Sequence, residues 1–118
     1  MTLRSKHEKP VYIRISEVIA DAILAGRYND GDPLPSVRAL AADEGANPLT
    51  VAKAYQGFQD SGLILVKRGV GLFVAPGARA KLRATERDRF VKTEWPAISA
   101  RMTQLGIDPA HLLSGELA

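Results

Sequence analysis

The sequence predicts a mainly α chain with one small β-hairpin, three helices and the hairpin coming first and a short helical appendage after them. Three observations predict it. Apolar residues recur at helical spacing over 11–25 and 47–61. Capping residues or glycines (Ser36, Gly45, Asn47, Gly62) stand where those helices and a short one between them should begin or end. Between 63 and 74, branched and aromatic residues flank a glycine-containing turn, the pattern of two paired strands.

Residues 1–9 are polar and read as a loose arm, and Pro10 suits a helix start, where its missing N–H costs nothing. At 100° per residue, Val11, Ile15, Val18, Ala22 and Ala25 fall on one side, with Ile19 adjoining. Ile13, Ala20 and Leu24 fall nearly opposite. A helix apolar on two sides is covered on two sides, either by the core alone or also by the C-terminal segment. Gly26 ends it, and 28–35 is dense in turn residues. Ser36 then caps a helix from Val37 to about Glu44, with Val37, Leu40 and Ala41 inward and Gly45 at its end. Asn47 and Pro48 mark the next start twice over, as N-cap and first helical residue, and the helix runs to about Ser61. Two helices joined by so short a glycine turn form a helix-turn-helix. Leu63–Val66 and Leu72–Val74 follow as strands around the turn 67–71. The order helix, helix, helix, hairpin is that of a winged helix-turn-helix, placed at 10–75.

Beyond Pro76 the composition changes, and 78–118 reads as the appendage. Residues 78–94 are rich in helix formers and in Arg and Lys, apolar only along a thin stripe such as Leu82, Phe90 and Val91. This basic run reads as a solvated helical face rather than a second polyanion site. Pro96 should break or kink the helix. Trp95, Ile98, Met102 and Leu105 then recur at spacings of three and four, Gly106 stops that helix, and Asp108-Pro109 starts a last one with Leu112 and Leu113.

The chain has 118 residues, 46% hydrophobic and 25% charged, which is ordinary globular usage and too apolar for a disordered chain. No stretch is long and apolar enough for a membrane-spanning helix, and the charged start does not resemble a signal peptide. Without cysteine, thiolate metal sites and thiol nucleophiles are excluded. The expectation is a soluble, cytoplasmic protein. The net charge of +3 is too mild to establish a nucleic-acid partner, so that case rests on where particular cations sit.

Leu34-Pro-Ser-Val-Arg-Ala-Leu-Ala41, Asn47-Pro-x-Thr-Val-Ala-x-Ala-Tyr55, Gly62-Leu63 and Arg68-Gly-x-Gly-x-Phe-Val74 stand in one order and spacing. With them the sequence closely resembles the GntR family of bacterial transcription regulators. The short chain and Asn-Pro-x-Thr-Val look like its YtrA subfamily, strongly over 10–75. Beyond, only Leu-Gly-Ile-Asp-Pro at 105–109 is familiar. The resemblance implies a winged helix that binds operator DNA, a small helical C-terminal appendage, dimers, and repression of transporter operons beside the regulator's own gene. It also implies that the arginine of the first motif, Arg38, contacts DNA, and that the hairpin tip enters or borders the minor groove.

The residues support the same chemistry independently. In helix 47–61, Val51, Ala54, Tyr55 and Phe58 lie on one side, while Leu49, Lys53 and Gln56 lie opposite, with Thr50 on the flank. A helix that reads DNA points its first turns into the major groove, where base edges offer distinct donors, acceptors and methyl groups. Thr50 can bond a phosphate or a base edge, and Lys53 a phosphate or guanine. Leu49 can meet a thymine methyl, or is a scattered surface leucine. The resembled subfamily is usually polar there, so Leu49 departs from its pattern. Ser36 reads first as a cap and second as a phosphate contact, and Asn47 joins the DNA-contacting set at the mouth of the helix. Arg38 either binds DNA or forms a surface ion pair. At the hairpin tip Arg68 suits the negative potential of a narrow groove, Gly69 allows close backbone approach, and Lys67 adds a phosphate contact.

A two-fold pair of such heads reads a palindrome and multiplies specificity. The stripe Trp95, Ile98, Met102, Leu105, Leu112 and Leu113 is the candidate dimer contact; the alternative is that it folds back on helix 11–25 within one chain. Catalysis is not expected. The histidines, His7 and His111, neighbour no ligand pattern, and Arg-Gly-Val-Gly is too short for a phosphate-cradling loop. No cofactor or metal is expected, and any small-molecule effector, for which the dimer helices near Trp95 offer a place, is unidentified. The competing function is a winged-helix protein-interaction module, which would show apolar or acidic groups where Thr50, Lys53, Lys67 and Arg68 stand.

Overall fold

The computed structural model describes residues 9–115; the rest of the expected N-terminal arm, with His7, lies outside the described residues. Helix α1 (Val11–Leu24) begins directly behind Pro10. Its buried side is one broad arc rather than two opposite sides: Ile15, Ile19 and Ile23 recur every four residues, joined by Ala20 and Ala22. Val11 and Ile13 stay exposed. Ile23 is the core residue that the two-sided reading leaves out, and Ala25 is the C-cap rather than part of the inner face.

Helix α2 (Val37–Glu44) and helix α3 (Pro48–Asp60) start and stop where local chemistry dictates. Ser36 Oγ accepts the Ala39 N–H at 3.1 Å, satisfying a first-turn donor that the helix itself cannot. Gly45 takes the left-handed conformation, φ +61°, that ends α2 and allows the sharp turn into α3. Asn47 Oδ1 accepts the Leu49 N–H at 2.8 Å, with Pro48 in the first turn. Leu40 and Ala41 of α2 pack with Val51, Ala54 and Tyr55 of α3 in the same core as α1. The Tyr55 hydroxyl donates to the Pro35 carbonyl at 2.7 Å, tying α3 to the residue before the α2 cap. Burial, and after it the Tyr28 phenol nearby, raise the Tyr55 phenol above its ordinary range.

Strands β1 (Ile64–Lys67) and β2 (Gly71–Val74) pair antiparallel, Ile64 opposite Val74 and Lys67 opposite Gly71. The turn is thus tighter than 67–71: Lys67 and Gly71 are its last pair, and the Val70 N–H closes it on the Lys67 carbonyl at 2.8 Å. Gly69 holds φ +77° there, a conformation that a side chain resists. The segment read as a turn before α2 also ties onto the outer side of β2. Pro33 bridges Phe73, the Leu34 N–H reaches the Leu72 carbonyl at 2.8 Å, and the Val74 N–H reaches Asp32 at 2.9 Å. Pro33 has no N–H to lose, so it sits at this outer position without penalty.

Helix α4 (Ala78–Arg89) has no local side-chain cap of the Ser or Asn type. Asp30, distant in sequence, takes that place: its carboxylate accepts the Gly77 N–H at 2.7 Å and the Arg79 N–H at 3.4 Å. Arg79 in turn donates to the Ile23 carbonyl at 3.2 Å, near the end of α1, and to Asn29 Oδ1. Ala78 and Leu82 are buried in the core, and the first compact unit closes at Leu82, with the second beginning at Arg83, whereas the sequence suggests a winged helix ending at 75 and an appendage from 78.

The second unit contains the rest of α4, a π-helical turn (Phe90–Glu94), α5 (Trp95–Gln104) and α6 (Pro109–Ser114). Pro96 neither stops the chain nor stands in an unbroken α-helix. The backbone widens just before it, and the Trp95 N–H reaches back to the Phe90 carbonyl. This extra residue per turn absorbs the disturbance that a missing proline N–H makes in the ladder, leaving Pro96 in the first turn of α5. Asp108 caps α6 by accepting the Ala110 N–H at 2.9 Å. Among the described residues no helix is long and apolar enough to cross a membrane.

Candidate nucleic-acid interface

The first compact unit carries every residue expected at DNA. Leu49 is 80% exposed in the first turn of α3, Thr50 is half-buried beside it, and Lys53 is exposed one turn on. Arg38 is exposed in the first turn of α2, and Lys67, Arg68 and Gly69 are exposed at the hairpin tip. Among the described residues, the side chains of Arg38, Thr50 and Arg68 have no hydrogen-bond or ion-pair partner. Among the described residues, the ion pair that competed for Arg38 is therefore not formed. Ser36 Oγ and Asn47 Oδ1 both serve as caps, so any contact to a phosphate falls to the Ser36 hydroxyl proton and the Asn47 NH₂.

The two lysines are held differently. Lys53 Nζ lies 4.9 Å from the centre of the Tyr12 ring on α1, and Lys67 Nζ lies 4.4 Å from that of Phe73 on β2. Sequence reasoning assigned neither aromatic to the site. Phe73 could have been found from pairing, because it faces Leu65 and is therefore diagonal to Lys67. Tyr12 depends on how α1 packs on α3, and its one signal in the sequence is Gly57, a glycine in the middle of a helix.

The basic run after the hairpin divides. Arg79 turns inward as the clamp on Ile23 and Asn29, whereas Arg89 pairs with Glu86 at 2.5 Å and Lys92 with Asp88 at 3.1 Å on an exposed face. In the second unit Trp95, Ile98, Leu105 and Leu112 are exposed and Leu113 is 90% exposed; Phe90 and Val91 add to this apolar surface. Met102, the central member of the expected stripe, is only 8% exposed. Among the described residues no cluster of His, Cys, Asp or Glu could hold a metal ion.

Likenesses to known proteins bear on this arrangement. The pattern of bacterial regulatory proteins of the gntR family matches residues 11–74, from the start of α1 to the end of β2. The HTH-type transcriptional repressor YtrA of Bacillus subtilis is 36% identical over 108 residues, which cover 92% of this chain and 76% of the repressor. A GntR family transcriptional regulator from Listeria monocytogenes has the same fold at a TM-score of 0.73 and 26% identity, across 97% of this chain and 100% of that one. AraR(DBD), solved in complex with operator ORR3, matches 64% of this chain and 90% of its own at a TM-score of 0.58 and 28% identity. A helix-turn-helix, a two-stranded wing and these likenesses agree: the chain belongs to the GntR family of bacterial regulatory proteins, as a winged-helix, DNA-binding transcription regulator similar to YtrA.

Proposed function

We propose that the protein is a cytoplasmic repressor that binds a palindromic operator as a homodimer, with a transporter operon and its own gene as targets. The observation that carries the reading is the set of side chains without partners among the described residues, the exposed Arg38 and Arg68 and the half-buried Thr50, together with the exposed Leu49, on the elements that a winged helix presents to DNA. Leu49 and Thr50 read base edges, Arg38 and Lys53 bind phosphate or guanine, and the wing lays Lys67 on a phosphate and Arg68 with Gly69 at the minor groove. Ser36 and Asn47 hold the starts of α2 and α3 in register with the backbone.

The helical appendage supplies the dimer contact. Trp95, Ile98, Leu105, Leu112 and Leu113 offer an apolar surface that a second copy would cover, with Met102 supporting it from beneath. The similarity to the repressor YtrA supports the direction of regulation. Selection from a random duplex pool with the full chain, then footprinting and gel shifts at two salt concentrations, tests the whole reading. The expected result is an inverted repeat bound by two chains, with affinity falling steeply as salt rises. An asymmetric site bound by one chain overturns the dimer. Failure to enrich any duplex overturns DNA recognition and leaves the protein-interaction module.

A further inference from the structure

The geometry points to Tyr12 as the positioning residue for Lys53, with Gly57 left without a side chain to admit it; this rests on the proposed role of α3 in reading DNA. Three observations meet at one place. Lys53 Nζ stands over the Tyr12 ring at 4.9 Å, within the range at which an ammonium is drawn to the ring face. Tyr12 is itself half-buried against the core, so the ring is a fixed platform rather than a second mobile side chain. Gly57 lies one turn beyond Lys53 on the same helix, and a Cβ there would stand 3.3 Å from the Tyr12 hydroxyl.

The glycine is otherwise hard to explain. Glycine is the poorest ordinary helix former, and Gly57 does not hold the positive φ that would call for it. Its smoothness lets the Tyr12 phenol lie across α3 between positions 53 and 57. A lysine on an exposed helix face has four rotatable bonds, and fixing them on a phosphate costs side-chain entropy. The ring prepays part of that ordering. An ammonium has three donors, and a ring under one side leaves others directed outward for a phosphate or a guanine edge. Lys67 over Phe73 at 4.4 Å repeats the arrangement at the wing.

The test uses the full chain and a duplex recovered by that chain from a random pool. Tyr12→Leu weakens binding about twofold to fivefold per reading head, hence about fourfold to twenty-five-fold for a two-fold symmetric complex, with the salt dependence retained. Lys53→Ala lowers the salt dependence as well, and Tyr12→Leu adds nothing further on top of it. Tyr12→Phe, which keeps the ring, binds as the unmutated chain does. In that unmutated chain, NMR should find the Lys53 side-chain methylene protons shifted upfield by the ring current, both free and on DNA; this measurement needs no variant to fold. Normal binding by Tyr12→Leu, additive losses in the double variant, or disappearance of the upfield shift on DNA each overturn the positioning role. Unchanged affinity and salt dependence in Lys53→Ala overturn the Lys53 contact itself, and the inference with it.

Discussion

Replacing Tyr55 with phenylalanine removes one oxygen and nothing else, and its effect can be worked out from the structure. The phenol is 1% exposed and donates to the Pro35 carbonyl at 2.7 Å; among the described residues no other donor reaches that carbonyl. Phenylalanine fills the same space, so no cavity term enters. What remains is a lost hydrogen bond and an acceptor left unpaired in a partly buried position, together about 2 kcal/mol. For a domain of this size that corresponds to a fall of about 8–16 °C in the unfolding midpoint. Circular dichroism melts of the full chain at neutral pH measure it. The same pair gives a pH signature. The folded chain holds the Tyr55 proton more tightly than the unfolded chain, which releases it near the ordinary value of 10.0. Above that value the unfolded state binds fewer protons, so stability falls as pH rises, and Tyr55→Phe lacks this loss. The advantage of the unmutated chain over Tyr55→Phe is therefore full at neutral pH and shrinks in alkali. A Tm change of less than about 2 °C at neutral pH, or an advantage that stays constant well above pH 10.0, refutes the reasoning.

Asp30→Ala removes the acceptor for the Gly77 and Arg79 N–H groups and should cost about 1 kcal/mol, as loss of a local cap does, read as a lower urea midpoint. Lys67→Ala should weaken all DNA binding and lower the slope of log affinity against log salt by about 0.9 for each lysine lost; an unchanged slope removes Lys67 from the phosphate contacts. Thr50→Ala and Leu49→Asn should instead change which bases are preferred, seen across a series of substituted duplexes; the same preference as the unmutated chain would exclude them from readout. Ile98→Glu should turn dimers into monomers in sedimentation velocity while the melting behaviour of the first unit persists, and an undiminished dimer would move the contact elsewhere.

Features fixed within a few residues were legible before any coordinates. Ser36, Gly45 and the Asn47-Pro48 pair mark helix ends because each satisfies or avoids a backbone group of its own neighbourhood. Spacing alone placed Val51, Ala54 and Tyr55 inward and Leu49 and Lys53 outward on α3. Features made by distant segments were not. Nothing near Ala78 announces that Asp30 caps its helix, nor does the run 28–35, rich in turn formers, reveal that it also pairs with β2. The inward arc of α1 was misread for a related reason. Alanines and exposed valines blur a helical wheel, and only packing decides that Ile23 faces in while Ile13 does not. At the interface the cations were legible as charges, but the aromatic rings beneath two of them were not, since one ring belongs to another helix.

The widened turn at Phe90–Glu94 gives the segment between α4 and α5 one residue to spare. A π turn is an α-helix with one residue too many, so shortening it by a single amino acid restores ordinary winding. The Trp95 N–H, which now reaches the Phe90 carbonyl from five residues on, would reach it from four, so Trp95 and Ile98 would keep their side of the helix relative to Arg87.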